Sequence, residues 1–234
     1  MMPGATEPMA PPPVDVSDPD KEPSFRASVV LRGRVVELVP LEERWIPALA
    51  HAGADPEVWR WLRIGPARTV EQMTTLVRGM LAEKTVGAVL PFVVRRLPEG
   101  TVVGMFRYFD IHRADRAVEI GTWLEPGVWR TPVNTEVKYL GLRHAFDVER
   151  VHRVQLRTDL RNERSQRAIE RLGARREGVH REHYRLRSGT FRTSVIYSIL
   201  AAEWPALRRD LEARLARPWP ASESNPGDPV PRTP

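Results

Sequence analysis

Residues 125–136 read Glu-Pro-Gly-Val-Trp-Arg-Thr-Pro-Val-Asn-Thr-Glu, and they join a predicted strand to a predicted helix. The strand, Ala117–Leu124, ends at this turn, and we expect the helix from about Thr135 to Val148. The first turn of a helix has free backbone N–H groups and the positive end of the helix dipole, so a phosphate is stabilised there. Arg130 could add a charge-assisted hydrogen bond. By itself, such a junction more often only connects two elements.

A second segment follows about thirty residues later and has clear helix boundaries. Residues 162–173 read Asn-Glu-Arg-Ser-Gln-Arg-Ala-Ile-Glu-Arg-Leu-Gly. Asn162 is a good N-cap, and Gly173 suits the position after the helix. A capped surface helix explains both of these residues. It does not explain Ser165, a poor residue inside a helix, or the arginines that crowd the segment: Arg161, Arg164, Arg167 and Arg171.

The remaining elements predict an α/β fold. We expect further strands at 35–39, 92–95, 101–108, 153–158, 179–186 and 193–200. Helices are expected at 41–52, from Asp55 onward, at 69–83 and at 204–215, with Asp55 and Thr69 as N-caps. This order of elements predicts a mixed sheet with helices on both of its faces.

Composition limits the class of protein. The 234 residues include no cysteine, which excludes disulfides, thiolate metal sites and cysteine nucleophiles. No window approaches the roughly 20 apolar residues of a membrane span, and the N-terminus lacks the pattern of a secretory signal. We therefore expect a cytoplasmic protein without membrane contact.

Proline marks both ends of the chain. Seven prolines lie in residues 1–23 and six in residues 218–234, and both stretches are poor in apolar residues. Such composition cannot support a core, so both are predicted to be disordered tails. A single domain is expected at residues 24–217.

Positive charge is concentrated in one region. Residues 150–192 hold thirteen arginines and five acidic residues, a larger excess than the formal charge of +6 on the whole chain. One interpretation is a solvated basic face. The other is a site for a polyanion such as a phosphorylated cofactor, RNA or a ribosomal surface.

Taken in order, these segments resemble the GNAT superfamily of acetyl-coenzyme A-dependent N-acetyltransferases, and most closely its RimJ/RimL-like group, which acetylates protein N-termini, especially of ribosomal proteins. The likeness runs from about Leu31 to Trp204. It rests on residues 118–121, 129–136, 161–165 with Ile169, 172–174, 177–178 and 195–198. The resemblance implies the GNAT fold, with a mixed, mostly antiparallel sheet of about six to seven strands. It also implies acetyl-coenzyme A as cofactor.

The resemblance implies a binding site for each part of that cofactor. The Ala117–Leu124 strand would diverge from the next one, and pantetheine would pair with backbone near Trp123 and Leu124. The pyrophosphate would lie against the loop and helix start at Arg130, Thr131, Val133, Asn134 and Thr135. Asn162 and Ser165 match cofactor-binding residues of the family. By charge alone, Arg164 or Arg167 could meet the 3′-phosphate.

Pro132 departs from the family pattern, which usually has glycine at this position. Glycine allows positive φ and offers an N–H group to phosphate, whereas proline does neither. Either this N–H group is not used in this protein, or cofactor binding is weakened.

Catalysis needs a group that removes a proton from the amine and one that protonates the thiolate. Strand alternation places Glu119, Gly121 and Trp123 on one face, so Glu119 is the predicted base. Its alternative role is a strand carboxylate paired with an arginine. Tyr184 and Tyr197 are the predicted acids, with Tyr108 as a third option. The spacing of the histidines does not indicate a metal site.

The sequence leaves three interpretations of the function open. The first is acetyl transfer to a protein or peptide N-terminal amine, and the second is acetyl transfer to a small-molecule amine. The third interpretation is a non-catalytic acyl-coenzyme A sensor or a ribosome- or RNA-binding module. A homodimer is also open. Trp45, Trp59, Trp61 and Trp123 could line an acceptor pocket, and nearby Arg60, Arg63 and Arg68 would favour an acidic acceptor.

Overall fold

The computed structural model describes residues 23–25, 29–186 and 189–217. Nearly all of both predicted tails lies outside these ranges, so their disorder stays a prediction. The same holds for the boundaries of the single domain at residues 24–217.

The described residues form one sheet of eight strands, in the order β1-β2-β3-β4-β5-β6-β8-β7. The strands are Leu31–Arg32 (β1), Val36–Pro40 (β2), Val89–Arg96 (β3), Thr101–His112 (β4), Ala117–Leu124 (β5), Arg153–Asp159 (β6), Arg175–Arg185 (β7) and Phe191–Leu200 (β8). Every neighbouring pair is antiparallel except β5 with β6. The mixed, mostly antiparallel sheet is therefore confirmed. The strand beyond the expected seven is β1, whose two residues are too few to give a sequence pattern.

Helices cover both faces of the sheet. They are Ile46–Ala52 (α1), Val70–Thr85 (α2), Pro132–Arg143 (α3), Glu163–Arg171 (α4) and Trp204–Ala216 (α5), and a π-helical turn, His144–Val148, extends α3. One buried cluster joins α1 and α2 to the sheet, and another joins α3, α4 and α5 to it. In the part of the chain that the structure describes, no helix is long and apolar enough to cross a membrane.

One predicted helix is wrong. Asp55 does act as a cap, since its carboxylate accepts a hydrogen bond from the Glu57 N–H at 2.8 Å. Only a single 3-10 turn follows, Pro56–Val58. The chain then turns inward, because the Trp59 indole is buried and donates to the Gly53 carbonyl at 2.7 Å. Burial of this tryptophan prevails over the local helix signal.

Helix α3 begins earlier than the sequence predicts. Thr131 is its N-cap, with a hydroxyl that accepts from the Val133 N–H at 3.3 Å, and Pro132 is the first helical residue. Proline suits this position because its φ is preset and its missing N–H group would have no partner inside the helix. The predicted loop at residues 130–135 is therefore largely the first turn of α3.

The sheet divides at β5 and β6. These parallel strands pair only where Ala117–Glu119 lies beside residues 153–155. Beyond Glu119, β5 keeps its pairing with β4 as far as Leu124, whereas β6 continues beside β8. The C-terminal half of β5 thus has no neighbouring strand on one side. This opening positions the candidate site.

Candidate active site

A cavity of about 710 Å³ occupies the opening between β5 and β6. Its walls come from the second half of β5, the start of α3, the start of α4 and residues 57–64. The segments at residues 125–136 and 162–173 therefore line the same cavity, although they are about thirty residues apart in sequence.

Most of the predicted cofactor residues line this cavity. They are Trp123, Leu124, Arg130, Thr131, Asn134, Thr135, Asn162 and Ser165. Val133 does not line it, because its side chain is buried in the core. Asn162 also caps α4, since its side-chain oxygen accepts from the Ser165 N–H at 3.1 Å.

Of the two arginines predicted to meet the 3′-phosphate, only one lines the cavity. Arg167 is exposed and forms an ion pair with Glu163 at 3.0 Å, whereas Arg164 lines the cavity. The Arg164 guanidinium lies 3.4 Å from the centre of the Trp129 ring, and burial lowers its pKa. Glu163 and Arg167 are four residues apart, a spacing that favours pairing on one helix face. That spacing was the sequence signal that Arg167 is engaged elsewhere.

The part of the cavity around Arg164 fits a phosphorylated ligand, and we call it the phosphate end. Arg130, Arg164, Arg171 and Arg214 line the cavity, and so does the first turn of α3. Guanidinium groups and helix N-termini are the usual partners of phosphate. The free side of β5 offers unpaired backbone groups to an extended ligand. Among the described residues, no group of three or more histidine, aspartate or glutamate side chains could hold a metal ion.

Glu119 is both paired and placed in the cavity wall. Its side chain is 2% exposed, and its two oxygens accept hydrogen bonds from Arg157 Nε at 2.5 Å and Gln155 Nε2 at 2.9 Å. Burial raises the pKa of Glu119, and the attraction of Arg157 opposes this rise only in part. A carboxylate with a raised pKa is a stronger proton acceptor than an ordinary surface glutamate.

Of the three tyrosines, the structure brings one to Glu119. Tyr184 lines the cavity, and its hydroxyl accepts a hydrogen bond from Arg157, which also holds Glu119. Tyr197 lies in the core, where its hydroxyl donates to Glu170 at 3.0 Å and its pKa is raised to about 12. Tyr108 is fully buried and donates to the Gly141 carbonyl at 2.7 Å. Neither of these two lines the cavity.

Sequence reasoning missed Lys138, a buried cation in the cavity wall. Its ammonium donates to the Thr122 hydroxyl at 2.8 Å, and burial lowers its pKa to about 8. Lys138 lies one helical turn after Asn134, so both residues share a face of α3. That spacing could have identified it once Asn134 was placed at the cavity.

The predicted acceptor residues divide into two groups. Trp61, Trp123 and Arg63 line the cavity. Trp59 is buried against Trp123, with 5.2 Å between ring centres. Arg60 is exposed and pairs with Glu57 at 3.2 Å, and Arg68 donates to the Ala54 carbonyl at 2.9 Å. Three arginines that were not predicted, Arg107, Arg157 and Arg192, line the cavity near Glu119.

Most of the basic stretch at residues 150–192 is accounted for by the fold. Arg153, Arg161, Arg167 and Arg175 form ion pairs with acidic side chains. Four others line the cavity: Arg157, Arg164, Arg171 and Arg192. This distribution favours a small polyanionic ligand over a broad basic face.

Comparison with known proteins identifies the family. Residues 36–175, more than half of the chain, match the acetyltransferase (GNAT) domain. A crystal structure of a candidate acetyltransferase from T. thermophilus is 43% identical, with a TM-score of 0.73 over 80% of this chain and 96% of that one. A GCN5-related N-acetyltransferase from Brucella melitensis is 29% identical, with a TM-score of 0.76 over 81% and 86%.

Two further relatives carry more specific names. Mycobacterium smegmatis RimJ, solved with CoA-disulfide, is 26% identical, with a TM-score of 0.69 over 79% of this chain and 91% of that one. The candidate ribosomal N-acetyltransferase YdaF of Bacillus subtilis is 28% identical over 108 residues, which are 46% of this chain and 58% of YdaF. The match thus spans little more than half of that relative. The chain belongs to the GNAT acetyltransferase family, and within that family it is similar to RimJ and YdaF.

Proposed function

We propose that this protein transfers the acetyl group of acetyl-coenzyme A to the N-terminal amine of a protein or peptide in the cytoplasm. The observation that carries this proposal is the cavity at the opening of the sheet. It joins a phosphate-binding end, rich in arginine, to a buried carboxylate of raised pKa.

The cavity supports coenzyme A binding at its phosphate end. Arg130, Arg164, Arg171 and Arg214 would hold the phosphates, and the free backbone of β5 near Trp123 and Leu124 would pair with the extended arm. The RimJ structure was solved with CoA-disulfide, which supports the same ligand class for this chain. Bound acetyl-coenzyme A supplies an acetyl thioester, the electrophile of the reaction.

The groups around Arg157 would move the protons. An amine attacks only in its neutral form, and Glu119 would take the proton from it, directly or through water. The amine nitrogen forms the new bond to the acetyl carbon as the carbon–sulfur bond breaks. Tyr184 would donate a proton to the departing thiolate. Its hydroxyl accepts from Arg157, so its own proton is available to donate.

An N-terminal amine is the preferred acceptor for two reasons. The relative YdaF is named as a candidate ribosomal N-acetyltransferase. In addition, a second cavity of about 340 Å³ meets the first at Glu83 and Arg107, between α2 and residues 64–67. A peptide has further residues to occupy such an extension, whereas a small amine has none.

Turnover with a peptide panel tests the proposal. Each peptide is offered with acetyl-coenzyme A in three forms: with a free N-terminus, with a blocked N-terminus and an internal lysine, and with both amines blocked. Thiol release gives the rate, and mass spectrometry locates the acetyl group. We expect acetylation of the free N-terminus only. Acetylation of small amines but of no peptide would overturn the peptide acceptor, and no thiol release with any amine would overturn the transferase.

A further inference from the structure

Three arginines at the acceptor end of the cavity have no acidic partner. We call Arg63, Arg107 and Arg192 the acceptor arginines. All three line the cavity, yet none forms an ion pair with any carboxylate in the described part of the chain. We propose that Arg107 binds a carboxylate of the acceptor, so that the enzyme selects N-termini with aspartate or glutamate beside the reacting amine. This inference rests on the proposed function.

Arg107 is the best placed of the three. It is partly buried on β4, opposite Gly121 of β5, and its guanidinium lies 4.4 Å from the centre of the Phe109 ring. Within the described ranges, no side chain or carbonyl accepts a hydrogen bond from the guanidinium of Arg107. Burial lowers the pKa of Arg107. A buried guanidinium without an acceptor is costly unless a ligand supplies one.

Gly121 keeps the space beside Arg107 open. A Cβ atom at position 121 would lie 3.0 Å from the Phe109 ring and 3.6 Å from Arg107 Nε. Any larger side chain there would cover the guanidinium from the cavity. Glycine at this position therefore leaves the donors of Arg107 accessible to an acceptor molecule.

The surrounding charges favour an anion. The acidic groups near Arg107 are Glu83, Asp110 and Glu119. Arg157 binds both Asp110 and Glu119, which leaves Glu83 as the acidic group that no arginine holds. On the positive side, the guanidinium of Arg63 lies 4.1 Å from the centre of the Tyr184 ring, and Nε of the buried Arg192 has no hydrogen-bond partner among the described residues. The acceptor arginines thus outnumber the free carboxylate.

The position of Arg107 separates it from the phosphate end. The charged side chains that act most on its pKa are Glu83, Glu119, Arg63 and Asp110, and none of the arginines at the phosphate end is among them. Arg107 also lines the second cavity, into which the peptide would extend. Its ligand is therefore the acceptor rather than the cofactor.

Matched peptides test this assignment. The panel has one sequence with aspartate, asparagine or lysine as the second residue, together with free aspartate and free asparagine. We expect kcat/KM for the aspartate peptide to exceed that for the asparagine peptide by roughly ten- to a hundred-fold, the usual effect of a hydrogen bond to a charged group. Arg107→Gln should make the two kcat/KM values nearly equal, mainly by raising KM for the aspartate peptide. Arg107→Lys should restore part of it.

Arg60→Gln is the matched control. Arg60 is close in sequence to Arg63, but it is exposed and paired with Glu57, so its loss should leave the ratio unchanged. Thermal melts establish that each variant is folded. If Arg107→Gln fails to fold, Arg107→Lys and the wild-type ratio still decide.

The outcomes separate the two proposals. If the wild type acetylates aspartate and asparagine peptides equally, the assignment of Arg107 is wrong and the peptide acceptor stands. If only free aspartate is acetylated, and only with Arg107 present, the assignment stands and the peptide acceptor falls. If nothing turns over, calorimetry of both peptides with the coenzyme A complex decides, and equal binding to wild type and Arg107→Gln would overturn the assignment.

Discussion

Arg157 organises the centre of the site. It binds Glu119, Asp110 and Tyr184 at once, so the predicted base and the predicted acid share one guanidinium. Burial raises the pKa of Glu119, and the charge and hydrogen bond of Arg157 oppose this rise in part. These opposing effects suit a group that must accept and release a proton in each cycle.

Replacement of Glu119 tests its role as base. Glu119→Gln should lower kcat by roughly 10²–10⁴-fold, the usual contribution of general base catalysis, and should leave acetyl-coenzyme A affinity nearly unchanged. Glu37→Gln is the matched control, because Glu37 is also a buried strand carboxylate, paired with Arg95 at 2.6 Å. Both variants should lose stability, but only Glu119→Gln should lose turnover. Near-normal turnover without Glu119 would limit it to a structural role.

Lys138 should make stability depend on pH. Its pKa in the folded protein is about 8, depressed from 10.5 by burial. Below pH 8 both states carry the proton, and the folded state bears the cost of a buried charge. Between about pH 8 and 10.5 the unfolded state binds more protons, so this residue makes stability rise with pH.

Lys138→Met should therefore be more stable than the wild type at neutral pH. The gain is at most about 3 kcal/mol, less the lost hydrogen bond to Thr122, and it should shrink as pH rises towards 10.5. Urea unfolding at both ends of this range measures it, with Lys84→Met on α2 as control. If the difference in unfolding free energy between Lys138→Met and the wild type does not change with pH, burial does not destabilise the charged form of Lys138.

Residues were predictable from sequence where a local pattern fixes their direction. Strand alternation identified Glu119, and cap chemistry identified Asn162 and Thr69. Arg107 and Arg192 could not be identified, because their lack of an acidic partner among the described residues depends on side chains far away in the chain. Tyr197 has the same residue type as Tyr184, and only the packing of β8 shows that Glu170 already binds it.

At the scale of elements, α3 connects the site to the rest of the protein. Its first turn lines the cavity, and the buried carboxylate of Glu136 accepts from the N–H groups of Arg34, Val35 and Val36 at 2.7–2.9 Å. These bonds hold the helix to the start of β2. The phosphate end of the cavity is therefore fixed by contacts on the opposite side of the helix.

The start of α3 leads to a prediction for Pro132. Because Pro132 is the first helical residue, its missing N–H group costs little, and Pro132→Gly should loosen the helix start by about 0.4–1 kcal/mol. Acetyl-coenzyme A affinity, measured by calorimetry, should then stay equal or fall. Pro205→Gly is the control, since Pro205 lies in the first turn of α5. A gain in affinity above about ten-fold would mean that the glycine pattern of the family matters here.

Elements were predictable where caps and periodicity agree. The extent of β5 and the boundaries of α4 followed the sequence closely, whereas β3 and β4 were placed correctly but predicted too short. The helix expected after Asp55 failed because burial of Trp59 is a tertiary effect. The short β1 was missed because its pairing with β2, rather than its own pattern, makes it a strand.

At the scale of the whole molecule, the core extends to the start of the proposed domain. Phe25 is 1% exposed and packs on Tyr108 at 4.8 Å between ring centres, while the N–H groups of Ser24 and Phe25 donate to Glu149. A chain shortened to residues 24–217 should melt within a few degrees of the full chain. Phe25→Ala should cost about 3–5 kcal/mol. A large loss on removal of the tails alone would contradict their predicted disorder.

The continuity of the cavity has a kinetic consequence. One cavity contains the phosphate end, Glu119 and the acceptor end, so both substrates can be bound at the same time. The chain has no cysteine that could carry an acetyl group from one substrate to the other. Transfer should therefore require a ternary complex. Initial rates at several fixed concentrations of one substrate should give intersecting double-reciprocal lines. Parallel lines would instead indicate a covalent acetyl-enzyme and an unrecognised nucleophile in the wall of the cavity.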